Sequence, residues 1–194
     1  GRIGADRVRL AARLAAVEQA VKHLPELPET LVTAGDFPGS IRLPGTDATF
    51  KIGGQARFTL VHTLEPLGSD DRFIASSIPV GSQLAGEGSR VRYIATPTRV
   101  NVDVRWPSPF GGMRAFVESD FAGDESAQRL RHAYIQTNQW LFGQTWSTFS
   151  DPEADPMDID FEGLNAISRL RQAQFRYTRP LRDHFSLALA LENP

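Results

Sequence analysis

The most regular alternation of apolar and polar residues in the chain runs from residue 99 to residue 106. The apolar set is Val100, Val102, Val104 and Trp106, and the polar set is Arg99, Asn101, Asp103 and Arg105. A period of two predicts a β-strand with one apolar and one charged face. A turn is predicted at residues 107–112, and the return strand of a hairpin at residues 113–121. Phe116 and Ser119 interrupt the alternation of that second strand.

Two classes of protein contain hairpins with one apolar and one charged face. In a soluble β-sandwich the apolar face lies in the core and the charged face meets solvent. In an outer-membrane β-barrel the apolar face meets lipid and the charged face lines an aqueous lumen. Alternation is the same in both classes, so the choice depends on other features of the chain.

Strand length favours the membrane. Residues 49–64 alternate throughout, with Phe50, Ile52, Phe58 and Leu60 on one face, which predicts one strand of 16 residues. Strands of globular proteins usually have about 5 to 6 residues, whereas a tilted strand that crosses a bilayer needs about 9 to 11.

Further strands are predicted at residues 90–106, 113–121, 128–137, 140–149, 168–178 and 184–192. The seven strands predict an all-β antiparallel meander. Because bacterial single-chain barrels have an even number of strands, from about 8 upward, we expect residues 49–194 to be the N-terminal part of a larger transmembrane barrel.

The first 24 residues predict an amphipathic helix. Leu10, Leu14, Val17, Val21 and Leu24 follow 4-3-4-3 spacing, the a/d pattern of a coiled coil. A second amphipathic helix is not predicted, so the pattern favours self-association; a helix on its own barrel or sandwich is the alternative. Residues 25–48 contain four prolines and three glycines and predict a linker.

Composition excludes several function classes. A formal net charge of −2 does not indicate a nucleic-acid partner, and the absence of cysteine excludes disulfides, thiol catalysis and thiolate metal sites. No apolar run approaches the roughly 18 to 20 residues of a spanning helix, so a membrane span would consist of strands. The first residues lack a signal-peptide pattern, so we expect any secretory signal to have been removed or to lie outside this sequence.

Arginines are the candidate functional residues, since those on well-defined strands fall on the polar face. The candidates for a lumen are Arg57, Arg99, Arg105, Arg114, Arg129, Arg131, Arg171 and Arg176, and Arg169 lies on the same predicted strand as the last two. In a lumen they would attract anions, because a guanidinium stays charged and binds carboxylates in a fork. In a soluble protein they would form a solvated surface, paired with Asp103, Glu118 and Asp120.

Residues 150–163 predict an acidic loop that contains Asp151, Glu153, Asp155, Asp158, Asp160 and Glu162. In a porin such a loop can fold inward and narrow the pore, opposite the arginines. Asp151, Glu153, Asp155 and Glu162 also fit positions of an EF-hand count, but Pro156 stands where that loop needs glycine. A solvated loop or a looser divalent site are the alternatives, and no metal site is predicted.

The remaining side chains do not predict an enzyme. The aromatic residues Trp106, Trp140, Trp146, Tyr134 and Tyr177 lie near strand ends, where interfacial aromatics of membrane proteins occur. The four histidines show neither metal spacing nor a nucleophile motif, and neither glycine pair forms a phosphate loop. No cofactor is predicted.

Several segments resemble the DcaP-like outer-membrane porins. They are IRLPGTD at 41–47 with FKIGG at 50–54, DRFIASSIPV at 71–80, FVESDF at 116–121, LRHAY at 130–134, and GQTWSTF at 143–149 with the acidic stretch to residue 163. The resemblance implies a trimer with an N-terminal coiled coil in the periplasm and a barrel of about sixteen strands. It also implies passage of small organic anions such as dicarboxylates.

The sequence therefore predicts the N-terminal part of a homotrimeric outer-membrane porin, in contact with outer-membrane lipid, for small anionic solutes. A soluble all-β binding or structural module that trimerises through its helix is the alternative. An outer-membrane hydrolase would need a serine beside a histidine, and the sequence does not show such a pair.

Overall fold

The computed structural model describes residues 12–19, 32–65, 68–69, 73–80, 89–156, 169–183 and 185–193. The chain divides into two compact units, residues 1–32 and residues 33–194. In the first unit residues 12–19 are α-helical, and Leu14 and Val17 of the predicted seam are exposed. Within the described residues, the structure contains no helix that is both long and apolar enough to cross a membrane.

The second unit consists of β-strands joined by turns and loops. The strands are β1 (Ile41–Arg42), β2 (Thr49–Gln55), β3 (Thr59–Thr63), β4 (Arg90–Ile94), β5 (Arg99–Ser108), β6 (Gly111–Asp120), β7 (Arg129–Gln136), β8 (Trp140–Trp146), β9 (Arg171–Arg182) and β10 (Phe185–Glu192). Short 3₁₀ helices occur at Ala75–Ser77 and Asp124–Ser126.

Eight strands form one open sheet in the order β1-β2-β5-β6-β7-β8-β9-β10, and β3 pairs with β4 in a separate sheet of two strands. Every pairing is antiparallel. The predicted all-β antiparallel meander is confirmed. β1 lies within the region predicted as a linker and forms the edge of the sheet beside β2.

The two longest predicted strands are each divided, which corrects the prediction. The strand at 49–64 is interrupted at residues 56–58, and the strand at 90–106 is interrupted at residues 95–98. Pro97, which is fully buried, lacks the N–H that a continuous ladder needs. The Thr98 hydroxyl links the two interrupted segments. It accepts a hydrogen bond from the Arg57 N–H at 3.1 Å and donates one to the Arg57 carbonyl at 3.2 Å.

The hairpin of β5 and β6 is tighter than predicted. Both strands extend into the predicted turn, so that only Pro109 and Phe110 separate them, and Ser108 lies opposite Gly111. Short connections also join β7 to β8 and β9 to β10 at this end of the sheet, whereas the opposite end carries the long connections at residues 121–128 and 147–170. We call these the turn end and the loop end.

The apolar face of the eight-stranded sheet is exposed. Ile52, Phe142 and Leu189 are 69%, 68% and 62% exposed, while Ile94 and Leu141 are the buried large hydrophobic residues of the described chain, at 8% and 6% exposure. The buried side chains of the sheet are mostly polar and include Asp103, Asp120 and Arg131. The sheet therefore lacks an apolar core of its own.

A glycine in β8 is required by the close approach of β7 and β8. Gly143 in β8 has φ of +127°, and a Cβ there would collide with the carbonyl oxygen of Ala133 in β7. Only glycine tolerates both the positive φ and the contact. This residue opens the segment on which the family resemblance is most specific.

Candidate functional site on the charged face of the sheet

The charged face is assembled by antiparallel register across β2, β5 and β6. Lys51 lies opposite Asp103, Arg99 opposite Asp120, and Arg105 opposite Arg114. Side chains that lie opposite one another share a face and approach closely enough to interact. The register therefore converts a period of two along each strand into rows of charge across the sheet.

At the turn end, one carboxylate holds two arginines. Asp103 accepts from Arg105 at 3.2 and 2.8 Å and from Arg114 at 3.0 and 2.9 Å. The Arg114 guanidinium carbon also lies 4.8 Å from the Phe116 ring centroid and 5.7 Å from that of Tyr134. We call Asp103, Arg105 and Arg114 the turn-end cluster; its arginines are tied to an acid and covered by aromatic rings.

At the loop end, two carboxylates bind the arginines of β7. Arg129 makes a two-point contact with Asp120 at 3.0 and 2.8 Å, and Arg131 bridges Glu118 at 2.9 Å and Asp120 at 2.8 Å. Asp120 is completely buried. Forked contacts of this kind are the stronger form of a charged hydrogen bond.

Two further arginines of the same region have a different environment. Arg99 and Arg171 line the same cavity of about 370 Å³ as Arg129, Arg131 and Glu118. Neither makes an ion pair with a described carboxylate. The Arg171 guanidinium carbon lies 4.6 Å from the Trp146 ring centroid, which fixes its position without neutralising it.

The loop-end cluster therefore has unbalanced charge. We define it as Arg99, Glu118, Asp120, Arg129, Arg131, His132, Trp146 and Arg171. It contains four guanidinium groups and two carboxylates, with a nearby neutral pair in which Arg169 binds Asp155 at 2.9 Å. With His132 neutral, these described residues of the loop-end cluster carry an excess of two positive charges.

A β-bulge changes the predicted face of two residues. The pairing of β6 with β7 shifts between Glu118 and Ser119, so that His132 lies opposite Glu118 and Tyr134 lies opposite Phe116. Strict alternation along residues 129–134 of the sequence predicts His132 and Tyr134 on the face opposite to Arg129 and Arg131, and this prediction is wrong. The extra residue of a bulge breaks the period of two, and all four side chains belong to the charged face.

Three predicted arginines occupy other positions. Arg57 lies in the break between β2 and β3, and Arg169 precedes β9, which begins at Arg171 rather than residue 168. Arg176 is half-buried opposite Leu141 and Ala190 on the charged face. The predicted set therefore divides into two clusters and these outlying residues.

The acidic loop is described in part. Asp155 binds Arg169, and the Asp151 carboxylate accepts from the Glu153 N–H at 3.2 Å. The other predicted acids, Asp158, Asp160 and Glu162, lie outside the described residues. Within the part of the chain that is described, no group of three or more His, Cys, Asp or Glu side chains could hold a metal ion.

The aromatic prediction separates into two sets. On the apolar face the Trp140 ring stacks on Phe175 with centroids 5.0 Å apart, and Tyr177 lies tilted against Trp140 at 4.6 Å. Tyr134 and Trp146 instead contact the charged face, where Trp146 meets His132 edge-on at 5.5 Å. Placement of all five aromatics in an interfacial belt is therefore wrong for Tyr134 and Trp146.

Sequence reasoning missed His132, Trp146 and Phe37 as members of the charged face. His132 Nδ1 lies 3.0 Å from the Thr145 hydroxyl, and the Phe37 ring lies 4.0 Å from the Arg105 guanidinium carbon. The His132 position depends on the bulge, and Phe37 lies in the region predicted as linker. Neither strand periodicity nor residue spacing in the sequence predicts these contacts.

Comparisons with known proteins agree with the fold. A family model described as DcaP outer membrane protein matches residues 44–194. The crystal structure of the outer membrane channel DcaP of Acinetobacter baumannii is similar with a TM-score of 0.64 and 29% sequence identity, over 75% of this chain and 41% of the channel. The chain thus spans less than half the length of that channel. No curated protein matches the chain.

Proposed function

Because the chain belongs to the DcaP outer membrane protein family, we propose that it forms part of the wall of a porin for small, mainly anionic solutes such as dicarboxylates. Transport is by passive diffusion. The apolar face of the sheet meets lipid and the charged face meets the water of the lumen. The exposure of Ile52, Phe142 and Leu189 supports this orientation, since a soluble protein normally buries such residues.

The excess of positive charge in the loop-end cluster carries the proposal of anion preference. Arg129 and Arg131 are neutralised by Asp120 and Glu118, and we assign them to the rigidity of the wall. Arg99 and Arg171 lack such a partner among the described carboxylates and supply the attractive potential. A cluster of one sign in a narrow aqueous path raises the local concentration of the opposite ion.

The loop after β8 narrows the path at the same point. Pro152 and Asp155 line the cavity that contains Arg99 and Arg171, and the Asp155–Arg169 ion pair fixes the loop to the start of β9. This position supports an acidic constriction loop opposite the arginines. An anion that enters would meet Arg99 and Arg171 on one side and this loop on the other.

The turn end faces the periplasm in this proposal. Outer-membrane barrels have short periplasmic turns and longer external loops, and the connections β5–β6 and β7–β8 at the turn end are short. Thr49, the first residue of β2, lies at that end beside Arg105. The N-terminal helix would then be periplasmic.

We propose that the protein is a homotrimer held together by its N-terminal helix. Leu14 and Val17 of the heptad pattern are helical and exposed, as seam residues of an unpartnered helix would be. Replacing both with Asp in the full-length protein should convert trimers to monomers in chemical crosslinking, whereas the matched Arg13→Asp and Glu18→Lys variant should remain trimeric. Unchanged trimers in the seam variant would exclude the coiled coil as the trimer contact.

Reversal-potential measurements on the full-length protein in planar bilayers test the channel proposal. We expect stepwise openings with anion preference, and a drop of about twofold or more in the anion-to-cation permeability ratio for Arg99→Gln or Arg171→Gln, larger at low salt. Arg179→Gln is the control, because Arg179 lies opposite Leu187 on the apolar face. Absence of conductance, or equal ratios in all three variants, would contradict the proposal.

A further inference from the structure

Residues 35–40 form a closed turn that precedes β1. The Gly35 N–H donates to the Ser40 carbonyl at 2.9 Å, the Ser40 N–H donates to the Phe37 carbonyl at 3.0 Å, and the Ser40 hydroxyl donates to the same carbonyl at 2.6 Å. Gly39 has φ of +76°, a conformation that favours glycine. These bonds define one conformation for the segment, which we call the Phe37 turn.

The Phe37 turn lies on the charged face of the sheet. The Lys51 ammonium donates to the Pro38 carbonyl at 3.0 Å, and the Phe37 ring lies 4.0 Å from the Arg105 guanidinium carbon. Lys51 and Arg105 belong to β2 and β5 and share the charged face with Asp103. The segment before the barrel strands therefore folds over the side of the sheet that carries the turn-end cluster.

The turn covers one cation of that cluster. The Arg105 N–H groups bind Asp103, and Phe37 lies against the guanidinium group. A cavity of about 640 Å³ lies at this point, lined by Phe37, Arg105, Arg114, Gln136 and Asn138. Phe37 is thus an apolar part of the lining of a cavity that also contains two guanidinium groups and polar amides, and its ring lies directly against one of the guanidinium groups.

We propose that the Phe37 turn is a fixed constriction at the turn-end mouth, and that Phe37 excludes bulky anions from the arginines of the turn-end cluster. This inference rests on the proposed function, because it requires the charged face to line the solute path. The hydrogen bonds within the turn and the Lys51 contact hold the ring in place. Selection is therefore by size, at a point where a small carboxylate meets two guanidinium groups that share the single carboxylate of Asp103.

The experiment compares a small and a large anion in the full-length channel. Reversal potentials are recorded under gradients of potassium chloride and of potassium gluconate, and the gluconate-to-chloride permeability ratio is derived. Phe37→Ala should raise this ratio at least about twofold because the mouth widens, and Phe37→Trp should lower it because the side chain grows. Phe110→Ala is the control, since Phe110 is 83% exposed in the β5–β6 turn at the same end.

The same recordings separate this inference from the channel proposal. If the unmodified protein prefers anions but both Phe37 variants keep its permeability ratio, the constriction is wrong and the channel proposal is unaffected. If the unmodified protein shows no anion preference, the channel proposal itself fails. An equal rise in Phe37→Ala and Phe110→Ala would also overturn the inference, because it would reflect general loosening of that end. Phe37→Trp gives an independent result if Phe37→Ala does not fold.

Discussion

The two faces of the eight-stranded sheet differ in both chemistry and burial. On one face Val102 and Val117 lie opposite each other and remain 38% and 48% exposed. On the other face Asp120 and Arg131, which carry formal charges, are 0% and 5% exposed. A soluble sheet usually buries apolar residues and exposes charged ones, so this sheet has the opposite arrangement.

The difference shows how each face is stabilised. The apolar face is exposed in the described chain and depends on what surrounds it, which in the proposed channel is lipid. The charged face is held internally by forked contacts from Arg129 and Arg131 to Asp120 and Glu118. A rigid wall that is charged towards water and apolar towards lipid follows from this division.

Removal of Asp120 should produce the largest loss of stability. Asp120→Asn leaves Arg129 and Arg131 without their shared carboxylate, and breaking a buried ion pair from one side costs about 3 to 5 kcal/mol. Urea titration of the full-length protein in lipid vesicles measures the free energy of unfolding. Asp103→Asn is the comparison. The free energy of unfolding should fall less in this variant, because Arg105 and Arg114 are more exposed than Arg131. Equal losses would mean that burial does not distinguish the two clusters.

A charge on the apolar face should produce the next largest effect. Val102 lies near the middle of β5, opposite Ile52 and Val117. Val102→Lys should cost about 2 to 4 kcal/mol if the residue faces the bilayer midplane. The neighbouring Asn101→Lys variant places the same charge on the other face, opposite Glu118, and should cost less than about 1 kcal/mol. Similar costs at both positions in the same vesicle titration would contradict the assignment of the faces.

A smaller effect is expected where β10 meets the loop end. The Glu192 carboxylate accepts from the Ser147 hydroxyl at 2.6 Å, the Thr148 N–H at 2.8 Å and the Thr148 hydroxyl at 3.0 Å. Glu192→Gln removes the charge from these bonds and should cost about 1 kcal/mol. Hydrogen exchange at Thr148 should increase in the variant, and an unchanged rate would show that the contact does not order this loop.

Strand periodicity predicted much of the fold and one part of the site. The alternation at β5, β6 and β10 identified the strands because a period of two is a local property of the sequence. The break at Arg57 was missed because alternation continues across it while the backbone ladder does not. The break at Pro97 was missed although the apolar positions change phase there, from Val91 and Tyr93 to Val100 and Val102. The bulge beside Arg131 was missed because it depends on how β6 and β7 pair, which the sequence of one strand does not contain.

One strand at a time also could not predict which arginines form an ion pair with a described carboxylate and which do not. Arg99 in β5 and Arg129 in β7 both lie directly opposite Asp120 in the register, yet Asp120 binds Arg129 and not Arg99. The choice depends on side-chain reach across three strands. Phe37 shows the same limit, because a residue in a segment without periodicity contacts Arg105 through the path of the backbone.

Site-directed spin labelling along β5 tests the central assignment of the two faces most directly. These 194 residues contain no cysteine, so a cysteine introduced at Val100, Asn101, Val102 or Val104 is their single labelling site. Any cysteine elsewhere in the full-length protein is replaced, and the labelled protein is studied in vesicles. We predict that the three valine positions are accessible to oxygen dissolved in lipid, and that position 101 is accessible to a water-soluble nickel reagent. Valine positions that are accessible to neither reagent would indicate a buried soluble core and would contradict the account.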